Sequence, residues 1–396
     1  EYQGKAEEFD QTGEKYQSAS EVFRKEEVEE LKGFMKELGV THELQRWDWA
    51  YYSEKLRKKK YDIDDELTKP YFKLENVISG VFQTAEKLFE ISFKRNTDIP
   101  VYHSDVEAYE VLDDKGEVKA VFFADFFPRD GKRGGAWMTS YRDQRVTESG
   151  EKVIPLVSIV CNFTPSSEDT PSLLQFDEVN TLFHEFGHAL HGMLADTKYA
   201  SLSGTHVYWD FVELPSQIME NWCYEKECLD LFAKHHETGE LIPAEYVERL
   251  KKSAIYHEAY ATVRQVSFSM LDMNWHNITF DQAGTIDDVK AVEKAAFGST
   301  DLFPEVPNTN MSVQFGHIFG GGYAAGYYSY KWAEVLDADA YSVFQQNGVF
   351  DKKTADAFKA SVLSQGGTKH PMELYKQFRG QEPTPDALLE RAGLKD

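Results

Sequence analysis

The segment 177–194, DEVNTLFHEFGHALHGML, constrains this chain more than any other stretch. Val179, Leu182, Phe183, Phe186, Leu190 and Met193 recur at helical spacing and predict a helix with one face in a core. On that helix His184 and His188 stand four residues apart, one turn, so both imidazoles project to the same side. Two neutral imidazoles so placed can converge on one Zn²⁺ at about 2.0–2.1 Å. Glu185 follows the first histidine, where its carboxylate can hold a water beside the metal without joining the ligand set. This is the HExxH arrangement, whose chemistry is hydrolysis by an activated water.

A catalytic zinc site needs a third protein ligand and an open fourth position. A metzincin would supply a further histidine after a glycine at fixed offsets, but His191 and Leu194 occupy those two places and exclude that class. The better candidate is Glu213 in WDFVELPSQIMENW, which begins a second apolar helical stretch. Pro215, two residues on, suits the first turn of a helix rather than its middle. His191 and His206 read as packed, supporting or substrate-contacting residues.

The rest of the chain is organised around that segment. Val28, Leu31, Met35 and Leu38 keep helical spacing up to Gly39, behind a capping pair Ser18 and Glu21. A longer helix is expected from near Pro70, with Leu74, Val77, Ile78, Val81, Phe82, Ala85, Leu88 and Phe89 on one face. The basic run Lys55 to Lys60 reads as a solvated helix face. Val106 to Leu112, the turn Asp113-Asp114-Lys115-Gly116 and Val118 to Phe126 predict a β-hairpin, and Leu156 to Val160 a further strand. The expectation is a single, mostly α catalytic region: helical over 1–105, a small β-sheet over 106–164 beside the HExxH helix, and helical again over 165–396.

Composition narrows the partners. Acidic residues outnumber basic ones, 67 to 43, for a formal net charge of −24, which disfavours nucleic acid and anionic membrane surfaces. No apolar run approaches the length of a membrane-spanning helix. Cys161, Cys223 and Cys228 are odd in number and form no CxxC pair, so a reducing, cytoplasmic setting is expected.

A second constellation lies at 315–330, FGHIFGGGYAAGYYSY. Gly320, Gly321 and Gly322 give backbone freedom, and Tyr323, Tyr327 and Tyr330 recur at helical spacing. A tyrosine stripe is ordinarily core, but phenols behind a mobile loop can also donate to an oxyanion while the loop closes over substrate.

HEFGHALH, SGTHVYWDFVELPSQIMENW and HIFGGGYAAGYYSYKWAEVLDADAY, in that order, resemble the thimet-oligopeptidase family of zinc peptidases, family M3. The form of the last motif and of the tail GGTKHPMELYKQFRGQEPTPDALLERAGL resembles its bacterial peptidyl-dipeptidase and oligopeptidase A branch, and LHGMLADTKYASLSGT leans towards the peptidyl-dipeptidases. The resemblance implies a zincin-like helical lobe holding one Zn²⁺ on His184, His188 and Glu213, with Glu185 as general base. It implies oxyanion or substrate hydrogen bonds from Tyr323 and Tyr330, substrate contacts from His317 and Tyr327, and a less uniform role for His206. It further implies a monomer acting on short peptides, and a family N-terminal region that precedes this match. Removal of C-terminal dipeptides is the first reading and internal cleavage the second. A silent peptide-binding protein, the third, has no chemical need for Glu185. Gly134-Gly135-Ala136-Trp137 is the candidate edge at which a substrate backbone would pair.

Overall fold

The computed structural model describes residues 24–394, so the Ser18–Glu21 pair lies outside the described residues. The first helix runs to residue 37, where Gly39 at φ 77° turns the chain. Val28, Leu31 and Met35 are buried as their spacing predicts, but Leu38 falls past the last turn and is 48% exposed. Lys59 and Lys60 of the Trp49–Tyr61 helix pair with Glu37 and Glu30 of the first helix, the solvated role expected of that basic run.

A 3₁₀ turn, Lys69–Tyr71, leads into the Leu74–Phe89 helix, whose Leu74, Val77, Val81, Ala85, Leu88 and Phe89 are buried. Glu90 ends it in the left-handed region (φ 56°), returning its N–H to the Glu86 carbonyl. The chain then enters β1 (Ser92–Arg95), inside the stretch read as helical over 1–105. Four residues are too few for a period-two pattern to declare itself. Phe93 of this strand stacks on Phe82 with ring centroids 4.1 Å apart.

β1 opens a five-stranded sheet with β2 (Glu107–Leu112), β3 (Val118–Asp125), β4 (Trp137–Arg142) and β7 (Leu156–Val160), in the order β1-β2-β3-β7-β4. A short ribbon, β5 (Arg145–Val146) and β6 (Lys152–Val153), stands apart from it. The β2–β3 hairpin is the one expected: Asp113 Oδ1 accepts from the Lys115 and Glu117 amides, and Gly116 takes φ 78°. β3 and β7 are parallel, and β4 lies antiparallel to β7 at the sheet edge. The candidate pairing stretch therefore enters the sheet only at Trp137.

The Phe176–Met193 helix packs on β3, β4 and β7. Gly192 makes that approach possible, because a Cβ there would lie 2.8 Å from Met138 Cε and 3.0 Å from Val157 Cγ2. The mostly α fold with a small sheet beside the HExxH helix is thus as the sequence leads one to expect.

The described chain divides into two compact units. One comprises Asp64–Leu250 and Leu336–Thr384 and holds the sheet and the HExxH helix. The other comprises 24–63, Lys251–Val335 and 385–394. Its long helix, Glu258–His276, starts at His257 with no cap from its own side chain. Glu27 supplies it instead, its carboxylate accepting the Ala259 and Tyr260 amides at 3.2 and 2.8 Å. Among the described residues no helix is long and apolar enough to cross a membrane, and Cys161, Cys223 and Cys228 are free and buried.

Candidate metal centre

Glu213 occupies the N-cap position of the Leu214–Glu220 helix, with Pro215 in the first turn. This helix lies against the HExxH helix at Gly187, where a Cβ would stand 2.2 Å from the Pro215 carbonyl oxygen. Only glycine permits that approach, and through it Glu213 reaches both histidines. Its Oε2 is 3.3 Å from His184 Nε2 and 3.1 Å from His188 Nε2. The potential ligand atoms of His184, His188 and Glu213 all lie within 4.8 Å of one another. Two imidazole nitrogens and a carboxylate oxygen at this spacing fit a divalent metal with nitrogen and oxygen preference.

The surroundings support that donor set. His184 Nδ1 donates to Glu220 Oε1 at 2.7 Å, since a carboxylate can only accept, and this makes Nε2 the ring atom available to a metal. Asn180 Nδ2 donates to the other Glu220 oxygen at 2.9 Å, and Ser216 Oγ donates to Glu213 Oε2 at 2.8 Å. Burial opposes charge on His184, but the Glu213 and Glu220 carboxylates outweigh it and hold the imidazole well above its usual range. Burial likewise opposes ionisation of Glu213, and His188 and His184 overcome it, keeping the carboxyl well below its usual range.

Glu220 is the residue that sequence reasoning missed. Its signal was its place two turns beyond Glu213 in the same helical stretch, which sets both carboxylates towards one side. Glu220→Ala is expected to weaken metal binding by about 10–100-fold, measured by competition with a chelator. Unchanged affinity would mean that the Nδ1 contact does not orient His184.

Glu185 is buried, and its Oε2 has no hydrogen-bond partner among the described residues. Burial raises its pKa, with the nearby His184 and His188 pulling the other way. His191 is fully buried with both ring nitrogens unpartnered, and burial pushes its pKa down to about 3. It is a neutral packed residue. His206 is exposed, its Nε2 3.0 Å from Asp143 Oδ2 just beyond β4.

The remaining predicted residues gather in the other unit. Tyr323 and Tyr330 stack with ring centroids 4.9 Å apart, Tyr327 lies 5.3 Å from Tyr330, and His317 lies 5.7 Å from Tyr323. Tyr327 is buried in an apolar cluster with Leu271, Phe297, Phe315 and Ile318.

The model of peptidase family M3 matches residues 4–394. Oligopeptidase A of Salmonella typhimurium is 42% identical over 376 residues, 93% of this chain and 54% of that protein. Dipeptidyl carboxypeptidase of Escherichia coli is 40% identical over 352 residues, 88% of this chain and 51% of that protein. Among solved structures, metallocarboxypeptidase 1 of Trypanosoma cruzi aligns over 97% of this chain and 80% of its own, at 14% identity and a TM-score of 0.49. The chain spans about half the length of the curated relatives it matches. With nearly all of its residues matched by one family model, and the HExxH histidines converging on a carboxylate from the next helix, this chain belongs to peptidase family M3.

Proposed function

We propose that this chain is the catalytic part of a zinc peptidase that shortens peptides by releasing C-terminal dipeptides. The observation that carries the reading is Glu185: a buried carboxylate with an unpartnered oxygen, next in sequence to one of three convergent metal donors. A silent peptide-binding protein would have no use for it.

One Zn²⁺ per chain would be held by His184 Nε2, His188 Nε2 and the Glu213 carboxylate. When bound, zinc supplies a Lewis acid for the scissile carbonyl and makes water acidic enough to react near neutral pH. Glu185 takes a proton from the attacking water and delivers it to the departing amine. The Tyr330 and Tyr323 hydroxyls donate to the developing oxyanion. His317, Tyr327 and His206 contact substrate, and the free edge of β4 pairs with the peptide backbone. The high acidic charge disfavours polyanionic peptides. Three free, buried cysteines support a reducing, cytoplasmic setting, and the enzyme is taken to act as a monomer.

Release of dipeptides requires a donor that pairs the substrate's terminal carboxylate. Leaving such a donor facing a neutral end group costs about 1–3 kcal/mol, or roughly tenfold or more in kcat/KM. Matched peptides ending in a free acid and in an amide are therefore expected to differ at least about tenfold with the full-length protein. Mass spectrometry should show successive losses of two residues from the C-terminus. Equal rates with internal fragments as first products would establish endo cleavage of the oligopeptidase A kind instead. No cleavage of either peptide by the zinc-loaded protein would overturn the peptidase reading.

A further inference from the structure

Asp272 is fully buried on the Glu258–His276 helix, and the hydrolysis proposed above gives it no task. Its carboxylate is directed at the segment between the glycine run and the Ser329–Asn347 helix. Oδ1 accepts the Ala325 amide at 2.9 Å and Oδ2 accepts the Tyr327 amide at 2.8 Å. One turn along the helix, His276 Nδ1 lies 2.8 Å from Oδ1 and 3.0 Å from the Asp272 carbonyl oxygen. Both neighbours are acceptors, so the proton sits on Nδ1 and the imidazole braces the carboxylate. The His276 ring in turn packs on Phe319, with centroids 5.5 Å apart.

The pinned segment contains a strained backbone position. Ala325 adopts φ 55°, the left-handed region that residues with a Cβ avoid. Gly322, just before it, has φ 91°. Between the two pinned amides, Gly326 accepts from Ser329 Oγ at 2.7 Å, and Tyr330 follows in the first turn of the helix. Before the pin, Gly320 to Gly322 are exposed.

We infer that Asp272, braced by His276, is a positioning residue that pins the Ala325 and Tyr327 amides and so divides the glycine–tyrosine loop in two. Before the pin, the exposed glycines Gly320 to Gly322 are the part left to adjust to substrate, since Ile318 is buried beside Tyr327 and Tyr323 stacks on Tyr330. The half after it holds Tyr327 and Tyr330 in place. The clamp itself rests on the hydrogen bonds above. Its effect on turnover rests on the proposed peptidase reading.

The test combines hydrogen exchange with steady-state kinetics on the full-length protein. In Asp272→Ala, amide exchange over 324–328 is expected to rise by roughly tenfold or more, while the Glu258–His276 helix stays protected. Asp272→Asn keeps one acceptor and should fall between Ala and wild type in both exchange and kcat. In the same series kcat should drop by about tenfold or more with KM changed by no more than about twofold, because Tyr330 is displaced rather than removed. A general loss of structure would raise exchange throughout and lower the fraction of active sites, without this ordered split. Unchanged exchange at 324–328 in a folded Asp272→Ala overturns the clamp. Faster exchange with unaltered kcat, or a loss confined to KM, overturns the positioning role. Should Asp272→Ala not fold, the near-isosteric Asp272→Asn carries the same comparison. Wild-type protein without peptidase activity would defeat the functional reading alone, and exchange would still decide the clamp.

Discussion

Replacing Glu185 with glutamine is expected to lower kcat by about 10²–10⁴-fold while leaving metal and peptide binding in place. The two carboxamide and carboxylate side chains have the same shape, so the packing of the HExxH helix on the sheet should not change. What changes is the ability to take a proton. The Glu185 carboxylate is buried with an unpartnered Oε2, and burial raises its affinity for a proton relative to an exposed glutamate. A carboxylate can accept the proton of the attacking water, and its amide replacement is no base at all. Metal content should stay near one zinc per chain in the variant, because the proposed donors are His184, His188 and Glu213 rather than Glu185. Peptide affinity, measured by calorimetry on the zinc-loaded variant, should match that of wild type. Near-normal kcat would move the base elsewhere. Loss of metal together with activity would show that Glu185 contributes to the ligand set.

The HExxH helix was legible in the sequence because two periodicities coincide in it. Apolar residues at helical spacing fix its buried face, and His184 and His188, one turn apart, must then share a side. Glu213 was legible for a different reason: Pro215 marks a helix start, and an acidic residue at that start can face a neighbouring helix end-on. The approach of the two helices was not legible, since it depends on Gly187 meeting the Pro215 carbonyl, a contact between residues with no shared local pattern. Glu220 was lost for the same reason, because its meaning lies in its bond to His184, 36 residues away. β1 was missed because four residues carry too little pattern, and its place in the sheet is set by pairing with β2. Asp272 gave no signal at all. An acidic residue on a helix is ordinarily solvated, and only the fold brings the Ala325 and Tyr327 amides to it. Local pattern thus points to the side chains proposed for the chemistry, while those proposed to orient them emerge only from tertiary contacts.

Tyr330→Phe is expected to lower kcat by about 10²–10³-fold with little change in KM, the usual consequence of removing one oxyanion donor. The substitution deletes only the hydroxyl. The ring of Tyr330 stacks on Tyr323 and abuts Tyr327, and a phenylalanine ring keeps both contacts. A fall in kcat without loss of stability therefore reports on the hydroxyl and not on the packing. Tyr327→Phe supplies the internal comparison, since it makes the same chemical change three residues away in the same cluster. Tyr327 is buried in the apolar cluster of Leu271, Phe297, Phe315 and Ile318, and the reading proposed above gives it a substrate contact rather than an oxyanion bond. Its replacement should act mainly on KM. Kinetics of the two variants with one peptide substrate, alongside their melting temperatures, would separate the roles. A loss confined to KM in Tyr330→Phe would assign that phenol to substrate binding. Equal losses of kcat in both variants would show that the cluster acts as a packing unit, with no single phenol reserved for the transition state.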